Sequence, residues 1–262
     1  MGPFIVLLSI VAMVITVLFY KKPKKKGIIP ANFRDLLQGH VGFYRNLATE
    51  EKIQFEKKLI EFLGYIKISG VKTKVEEIDR IYVAASGVIP VFGFPEWKYN
   101  NLREVLLYPY TFDHQEFLSE DAREYRNTLG MVGNGPMQRV MILSKPALRS
   151  GFENDLGTNN TGIHEFVHLL DKEDGAVDGL PESLLKQQYV ISWINLMNDN
   201  IEAIKEGRSD INSYGATSKA EFFAVVSEYF FNRPDLFREN HSQLYNLMTL
   251  IYQQTPRASP IK

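Results

Sequence analysis

Two histidines and a glutamate in the segment Thr161–Asp171 have the types and spacing of a metal-dependent hydrolytic site. They are His164, Glu165 and His168, in the pattern His-Glu-x-x-His. On a helix, residues four apart are rotated by about 40° and displaced by about 6 Å along the axis. Both imidazoles can therefore reach one ion, and Glu165 lies where a general base could take a proton from a metal-activated water. The pattern predicts a zinc site that performs hydrolysis.

The surrounding sequence predicts the helix that this spacing requires. Asn159, Asn160 and Thr161 are candidate N-caps, and apolar residues between and beside the histidines recur at helical spacing. The acidic, glycine-rich segment Asp174–Gly179 predicts the end of the helix. A helix that carries two histidines by chance is the alternative, but the apolar context favours a metal site set into a core.

The composition restricts the chemistry of such a site. The chain has 262 residues and no cysteine, so disulfides and thiolate zinc sites are excluded, and a metal must use histidine and carboxylate ligands. Residues 1–26 contain five lysines and no acidic residue, which leaves a net charge of −6 on the remainder. That balance does not indicate direct nucleic-acid binding.

The N-terminus has the features of a membrane anchor. Pro3–Tyr20 is a continuous apolar run of 18 residues, and the five lysines follow it immediately. A cleaved signal peptide would carry its positive charge before the apolar run and a small-residue cleavage site after it. Because lysines flanking a membrane helix stay in the cytoplasm, we expect a single-pass anchor at 1–26 and a cytoplasmic catalytic domain at 27–262. An atypical cleaved signal is the alternative.

Hydrophobic periodicity predicts an α+β domain that is mainly helical and contains a small sheet. The predicted strands cover residues 66–71, 103–108 and 138–144, and the predicted helices cover 49–63, 75–89, 183–206 and 219–231. Pro90, Pro109 and Pro234 lie just beyond three of these segments, where a residue without a backbone N–H ends a regular element.

A hydrolytic zinc site usually has three protein ligands and leaves one position for water. The candidates for the third ligand are Asp171, Asp178, Glu221, Glu228 and His241. Asp171 follows His168 by only three residues, so it is better suited to hydrogen-bond a metal ligand or to cap the next turn than to bind the ion itself. Glu221 begins a very apolar predicted helix, where a buried carboxylate needs a positive partner. The residues therefore favour Glu221, with Asp178 and Glu228 as alternatives.

Three motifs resemble the zinc peptidases of the Mlc titration factor A family. They are His-Glu-Phe-Val-His-Leu-Leu-Asp from His164, Ser-Tyr-Gly-Ala at Ser213–Ala216, and the apolar segment Ala220–Phe231. The Tyr-to-Glu spacing is also similar to that of the catalytic domain of anthrax lethal factor. The resemblance implies a zincin-like fold and one zinc per chain, bound by His164, His168 and Glu221. It implies Glu165 as catalytic base and Tyr214 as hydrogen-bond donor to the developing oxyanion.

Two other functions compete with peptide hydrolysis. Members of this family are named for binding a transcriptional repressor, so the resemblance also implies a membrane-tethered regulatory protein whose partner is such a regulator. In that case the peptidase activity is secondary. A structural zinc domain without turnover is the third interpretation, but it predicts a closed site with four protein ligands. Only three good protein ligands are evident in the sequence.

Overall fold

The computed structural model describes residues 29–109, 139–154 and 157–257. Within these ranges the chain forms ten α-helices and one three-stranded sheet, which confirms the predicted α+β class with mainly helical content. The helices are α1 (Phe33–His40), α2 (Gly42–Arg45), α3 (Thr49–Tyr65), α4 (Glu77–Val88), α5 (Lys145–Glu153), α6 (Thr161–Asp171), α7 (Val190–Lys205), α8 (Lys219–Asn232), α9 (Pro234–Asn240) and α10 (Ser242–Tyr252). The strands are β1 (Lys67–Gly70), β2 (Glu104–Tyr108) and β3 (Val140–Ser144).

The predicted membrane anchor, Pro3–Tyr20, lies outside the described residues. Among the helices that the structure describes, none combines the length and the apolar character needed to cross a bilayer. The anchor therefore remains a prediction from the sequence.

The sheet is small and entirely parallel in the described part of the chain. β2 pairs with β1 on one side and with β3 on the other, with Ile68 opposite Val105 and Val105 opposite Met141. Parallel neighbours need a crossover connection, and α4 supplies it between β1 and β2. The three predicted strands are thus confirmed to within a few residues at each end.

Helix α6, which carries both histidines, lies against α4 at close range. Gly162 makes this approach possible, because a Cβ atom at that position would lie 2.1 Å from the Ser86 hydroxyl and 2.9 Å from a Leu148 methyl. On the neighbouring turn, Phe166 is fully buried and its ring meets Phe62 and Tyr99 edge-on. The histidine helix is therefore fixed in the core by its apolar face.

Among the helices that the structure describes, α8 has the largest share of buried residues. From Phe222 to Phe231 every residue is buried, as expected of a helix that is apolar on all sides. Phe222 and Phe223 pack against the buried Trp193 of α7, and Phe230 and Phe231 pack against Tyr252 of α10. This helix packs against α6 across the candidate site.

The predicted helix 183–206 was wrong at its beginning. Helix α7 starts at Val190, after a short 3-10 turn at Gln187–Tyr189. The preceding residues turn back so that Leu184 and Leu185 reach the core, with only 4% of each exposed. Burying those two leucines in a turn stabilises this arrangement over a continuous helix, in which adjacent residues point in directions about 100° apart.

Candidate metal centre

The histidine helix begins at a side-chain cap that ties it to its neighbours. The Asn160 side-chain oxygen accepts a hydrogen bond from the Ile163 backbone N–H at 3.1 Å, and its amide donates to the Gly151 carbonyl at 3.0 Å. Asn160 is therefore the cap among the candidates that the sequence offered. Ile163, Phe166, Val167 and Leu170 face the core, which leaves the two histidines and Glu165 on the half-buried side.

Three ligand atoms converge between α6 and α8. His164 Nε2 lies 3.1 Å from His168 Nε2 and 2.9 Å from Glu221 Oε2, and His168 Nε2 lies 3.4 Å from the same oxygen. Ligands held about 2.05 Å from a tetrahedral zinc ion are separated by about 3.3 Å. The three spacings lie within about 0.4 Å of that value, and imidazole nitrogen and carboxylate oxygen are donors that zinc accepts. The structure thus brings together the three residues that the sequence favoured as ligands.

Glu221 is placed by the first turn of α8. Ser218 caps this helix, and its hydroxyl accepts a hydrogen bond from the Glu221 backbone N–H at 3.1 Å. The Glu221 side chain is 22% exposed, and Glu221 is the one residue between Ala220 and Phe231 that is half-buried rather than buried. A buried helix therefore presents one accessible carboxylate to the two histidines.

Glu228 contacts the site from behind His164. One Glu228 oxygen lies 2.6 Å from His164 Nδ1, and the other accepts a hydrogen bond from the Asn160 backbone N–H. A carboxylate accepts rather than donates, so His164 Nδ1 carries a proton, and Nε2, which points towards Glu221 and His168, is the nitrogen that can lose its proton and bind a metal ion. Glu228 therefore fixes the histidine tautomer that metal binding requires.

The electrostatics of the site favour a cation. Burial alone would lower the pKa of His164, but its hydrogen bonds to Glu221 and Glu228 outweigh that effect and raise the pKa to about 10. Burial would raise the pKa of Glu221, but His164 and His168 hold it well below its ordinary value. Two ionised carboxylates thus stabilise positive charge at the point where the ligand atoms meet.

Tyr214 lies beside this cluster on a 3-10 turn, Ser213–Ala216. Its ring centre is 6.1 Å from that of His164, at an angle of 37° between the rings. The Asn212 side chain caps the turn by accepting from the Tyr214 backbone N–H at 2.9 Å, and Gly215 packs against Val225 of α8. The predicted tyrosine is therefore adjacent to the first histidine.

Glu165 shares the half-buried face of α6 with the histidines. It follows His164 directly, so its side chain is rotated by about 100° from the imidazole. It does not belong to the cluster of converging ligand atoms, yet its charge acts on His164 and raises the pKa of that histidine. Glu165 therefore lies beside the converging atoms and is not one of them.

The other candidates for the third ligand have different partners. Asp171 is fully buried and accepts a hydrogen bond from the Gly179 backbone N–H at 3.0 Å, so it holds the following loop; it does not cap the 3-10 turn at Lys172–Asp174 with its side chain. Asp178 accepts from the Leu180 backbone N–H, and His241 donates to Asp210. Within the described ranges, His164, His168 and Glu221 are the one group of side chains placed to share an ion.

Sequence reasoning missed two contributions to the site. The sequence left Glu228 as an alternative third ligand, but the structure places it behind His164, where it is 6% exposed and pairs with Nδ1. The spacing of seven residues from Glu221, two helical turns, places both carboxylates on one face, but it does not show which side of His164 each one contacts. Asn212 was not considered, although an asparagine two residues before a turn residue is a signal for an Asx turn.

Comparison with known proteins identifies the family. A sequence model of the family described as glucose-regulated metallo-peptidase M90 matches residues 18–253 of this chain. That range includes every residue of the converging cluster, as well as Glu165, Tyr214 and Glu228.

Individual relatives are similar over most of their length. Mlc titration factor A of Serratia proteamaculans is 27% identical over 230 residues, which cover 82% of this chain and 80% of that protein. Mlc titration factor A of Enterobacter is 29% identical over 218 residues, which cover 77% of this chain and 75% of that protein. The uncharacterized protein slr2042 of Synechocystis is 27% identical over 237 residues, which cover 87% of this chain and 86% of that protein.

Proposed function

The chain belongs to the glucose-regulated metallo-peptidase family M90, and from this premise we propose that it is a zinc-dependent peptidase that hydrolyses peptide bonds. The observation that carries the proposal is the convergence of His164, His168 and Glu221 at the separations of a tetrahedral zinc site. Three protein ligands leave a fourth position for water, which distinguishes a catalytic from a structural site. The helix–sheet arrangement around His-Glu-x-x-His supports a zincin-like fold.

A zinc ion bound by these residues would polarise the scissile carbonyl and lower the pKa of a water molecule towards neutrality. Glu165 accepts the proton of the attacking water and then delivers it to the leaving amine. Tyr214 donates a hydrogen bond to the oxygen that becomes negative when water attacks. Glu228 keeps His164 in one tautomer throughout, because its carboxylate accepts a hydrogen bond from the Nδ1–H of that ring.

The test compares Glu165→Gln and Tyr214→Phe by peptide-library cleavage, with and without a chelator, and by the zinc content of each variant. Because Glu165 is not a ligand, we expect Glu165→Gln to keep its zinc and to lose about 10²–10⁴ in turnover. Tyr214→Phe removes only a hydroxyl, and we expect kcat to fall by about 10²–10³ at little-changed KM. Tyr65→Phe, a half-buried tyrosine on α3, is the matched control and should retain full activity.

The two assignments fail separately. Near-normal kinetics in a folded, zinc-loaded Tyr214→Phe protein would remove Tyr214 from the mechanism and leave Glu165 in place. Full turnover in Glu165→Gln, or turnover that survives the chelator, would refute the metallopeptidase mechanism.

A second function is supported by the names of the relatives. Because several are called Mlc titration factor A, we propose as the alternative that this chain binds a transcriptional repressor or another regulatory protein, with peptidase activity secondary. Glu165→Gln separates the two roles, since it abolishes turnover and leaves the surface unchanged. Retained partner binding by this variant in a pull-down would support a separate binding role, and loss of binding would argue against one.

We further propose that the peptidase is held at the cytoplasmic face of a membrane. The support is the apolar run Pro3–Tyr20, which is followed immediately by five lysines. In this arrangement the substrates are peptides or proteins that reach the cytoplasmic surface of the bilayer.

A further inference from the structure

A second polar cluster surrounds Asp210, which lies between α7 and the turn that carries Tyr214. Its carboxylate accepts three hydrogen bonds, from the Tyr229 hydroxyl at 2.7 Å, from the Asn240 amide at 2.7 Å and from His241 Nε2 at 2.5 Å. Tyr229 belongs to α8, and the other two donors lie at the junction of α9 and α10. The proposed peptidase mechanism assigns no role to these four residues.

The cluster holds one end of the segment that leads to Tyr214. Ile211, the residue after Asp210, is 3% exposed and lies in the core. Asn212 caps the Tyr214 turn with its oxygen, and its amide donates to the Asn159 side chain at 3.3 Å, beside the start of the histidine helix. The segment is therefore attached at Asp210 to α8 and to the junction of α9 and α10, and at Asn212 to Asn159, two residues before α6.

The attachment at Asp210 is electrostatically strong for a side chain that is 41% exposed. Partial burial would raise the pKa of Asp210, but the hydrogen bonds from Tyr229, His241 and Asn240 outweigh it and lower the pKa below the ordinary value. The aspartate therefore stays ionised at neutral pH.

Four peptide units separate Asp210 from Tyr214, so the two Cα atoms are at most about 14 Å apart. Because Asp210 is held in place so near to Tyr214 in the chain, it limits the movement of the turn relative to His164 of α6. We propose that Asp210 is a positioning residue for the peptidase reaction: held by Tyr229, Asn240 and His241, it fixes the turn so that the Tyr214 hydroxyl meets the developing oxyanion. This inference rests on the proposed function of Tyr214.

The alternative is that the cluster only stabilises the junction between α9 and α10. The two roles differ in what they predict for catalysis. A positioning residue acts on catalysis through Tyr214. Replacing Asp210 should therefore have no further effect on kcat in a protein that already lacks the Tyr214 hydroxyl. A stabilising residue would act equally with or without that hydroxyl, because the effects of independent sites add.

The experiment measures kcat, KM and zinc content for Asp210→Ala, Tyr214→Phe and the double variant. We expect Asp210→Ala to lower kcat by about 10-fold to 10²-fold at little-changed KM and full zinc content, since a misplacement of about 1 Å can cost as much as 10². In the Tyr214→Phe background, Asp210→Ala should change kcat by less than about twofold. Wild-type kcat in Asp210→Ala, or the same loss in both backgrounds, would overturn the inference.

Two further measurements keep the inference testable if Asp210→Ala folds poorly or if turnover is too slow to measure. Tyr229→Phe keeps the buried ring and removes one donor to Asp210, so it should lower kcat in the same direction by a smaller factor. Hydrogen exchange of the amides at 211–217 should accelerate in both variants and not in Glu56→Gln, a buried control near α1. Unchanged protection of these amides would refute the positioning role without reference to activity.

The kinetic design also separates this inference from the proposed function. If Tyr214→Phe is slow and Asp210→Ala behaves as wild type, only the positioning role of Asp210 is wrong. If Tyr214→Phe is itself near normal, the assignment of Tyr214 is wrong, and the positioning role that depends on it is wrong as well.

Discussion

Replacing Glu228 by glutamine tests how much the residue behind His164 contributes to metal binding. The Glu228 carboxylate accepts from two N–H groups, those of His164 Nδ1 and the Asn160 backbone. Glutamine offers one acceptor oxygen and an NH₂ group that can only donate. In Glu228→Gln, one of the two buried N–H groups therefore faces another donor, or His164 changes its tautomer and moves its proton to Nε2.

The size of the effect follows from this geometry. An unpaired buried donor costs about 1–3 kcal/mol. Loss of an outer-shell partner of a metal-binding histidine typically costs 10-fold to 100-fold in metal affinity, which is about 1.4–2.7 kcal/mol. The two ranges agree, so we expect Glu228→Gln to bind zinc about 10-fold to 100-fold more weakly than the wild type.

The assay is competition for zinc against a chelator of known affinity, with unfolding by denaturant measured in parallel. Glu56→Gln is the matched control, because Glu56 is 8% exposed and also accepts two hydrogen bonds, from Arg34 at 2.9 Å and Tyr44 at 2.7 Å. It should lose stability without losing zinc affinity. Zinc affinity of Glu228→Gln within about twofold of the wild type would refute the reasoning, as would an equal loss of affinity in Glu56→Gln.

Three other predictions concern the ligands, the acid stability and the anchor. Glu221→Ala should lose its zinc in a metal assay while Asp178→Ala keeps it, and the reverse result would place the third ligand elsewhere. Hydrogen bonds from Arg149 and a neighbouring lysine lower the pKa of Glu76 from 4.5 to about 2. Because the pKa is lowered in the folded state, the ionised Glu76 should stabilise the protein fully above about pH 4.5, and this stabilisation should disappear as the pH falls towards 2. The denaturation midpoints of wild type and Glu76→Gln should therefore differ at pH 6 and converge below pH 2. Removal of residues 1–26 should release a folded enzyme from membranes, and digestion of the main domain from outside spheroplasts would contradict the proposed orientation.

The parts of the site that the sequence predicted are those encoded over short distances along the chain. The spacing of His164, Glu165 and His168 has meaning only on a helix, and the flanking residues specify that helix through an asparagine cap and an apolar face. Glu221 was favoured on similar grounds, since a carboxylate at the start of an apolar helix needs a compensating charge. Local periodicity also located all three strands and the helices α3, α4 and α8.

The parts that could not be predicted depend on how distant elements pack. The contact between Glu228 and His164 joins residues 64 apart in sequence, and the contact between Asp210 and His241 joins residues 31 apart. Periodicity shows which face of a helix a residue occupies and not what lies opposite that face. The early start predicted for α7 has the same origin, because the burial of Leu184 and Leu185 in a turn is decided by the surrounding core and not by local propensity.

Helix α8 explains how these distant contacts are held in one arrangement. Five of its residues follow one another at the spacing of a single helical face, and each contacts a part of the site or of its support. They are Glu221 at His164, Val225 at Gly215, Glu228 at His164 and Asn160, Tyr229 at Asp210, and Asn232 at the Asn159 carbonyl. The remaining faces of α8 are packed and, apart from the hydrogen-bonded Ser227, mostly apolar, so the helix cannot rotate or shift without opening the core. The rigid α8 thus sets the relative positions of Glu221, Glu228 and the turn that carries Tyr214. Side chains that take part in catalysis must be held to within a fraction of an ångström, and a buried helix can hold them so.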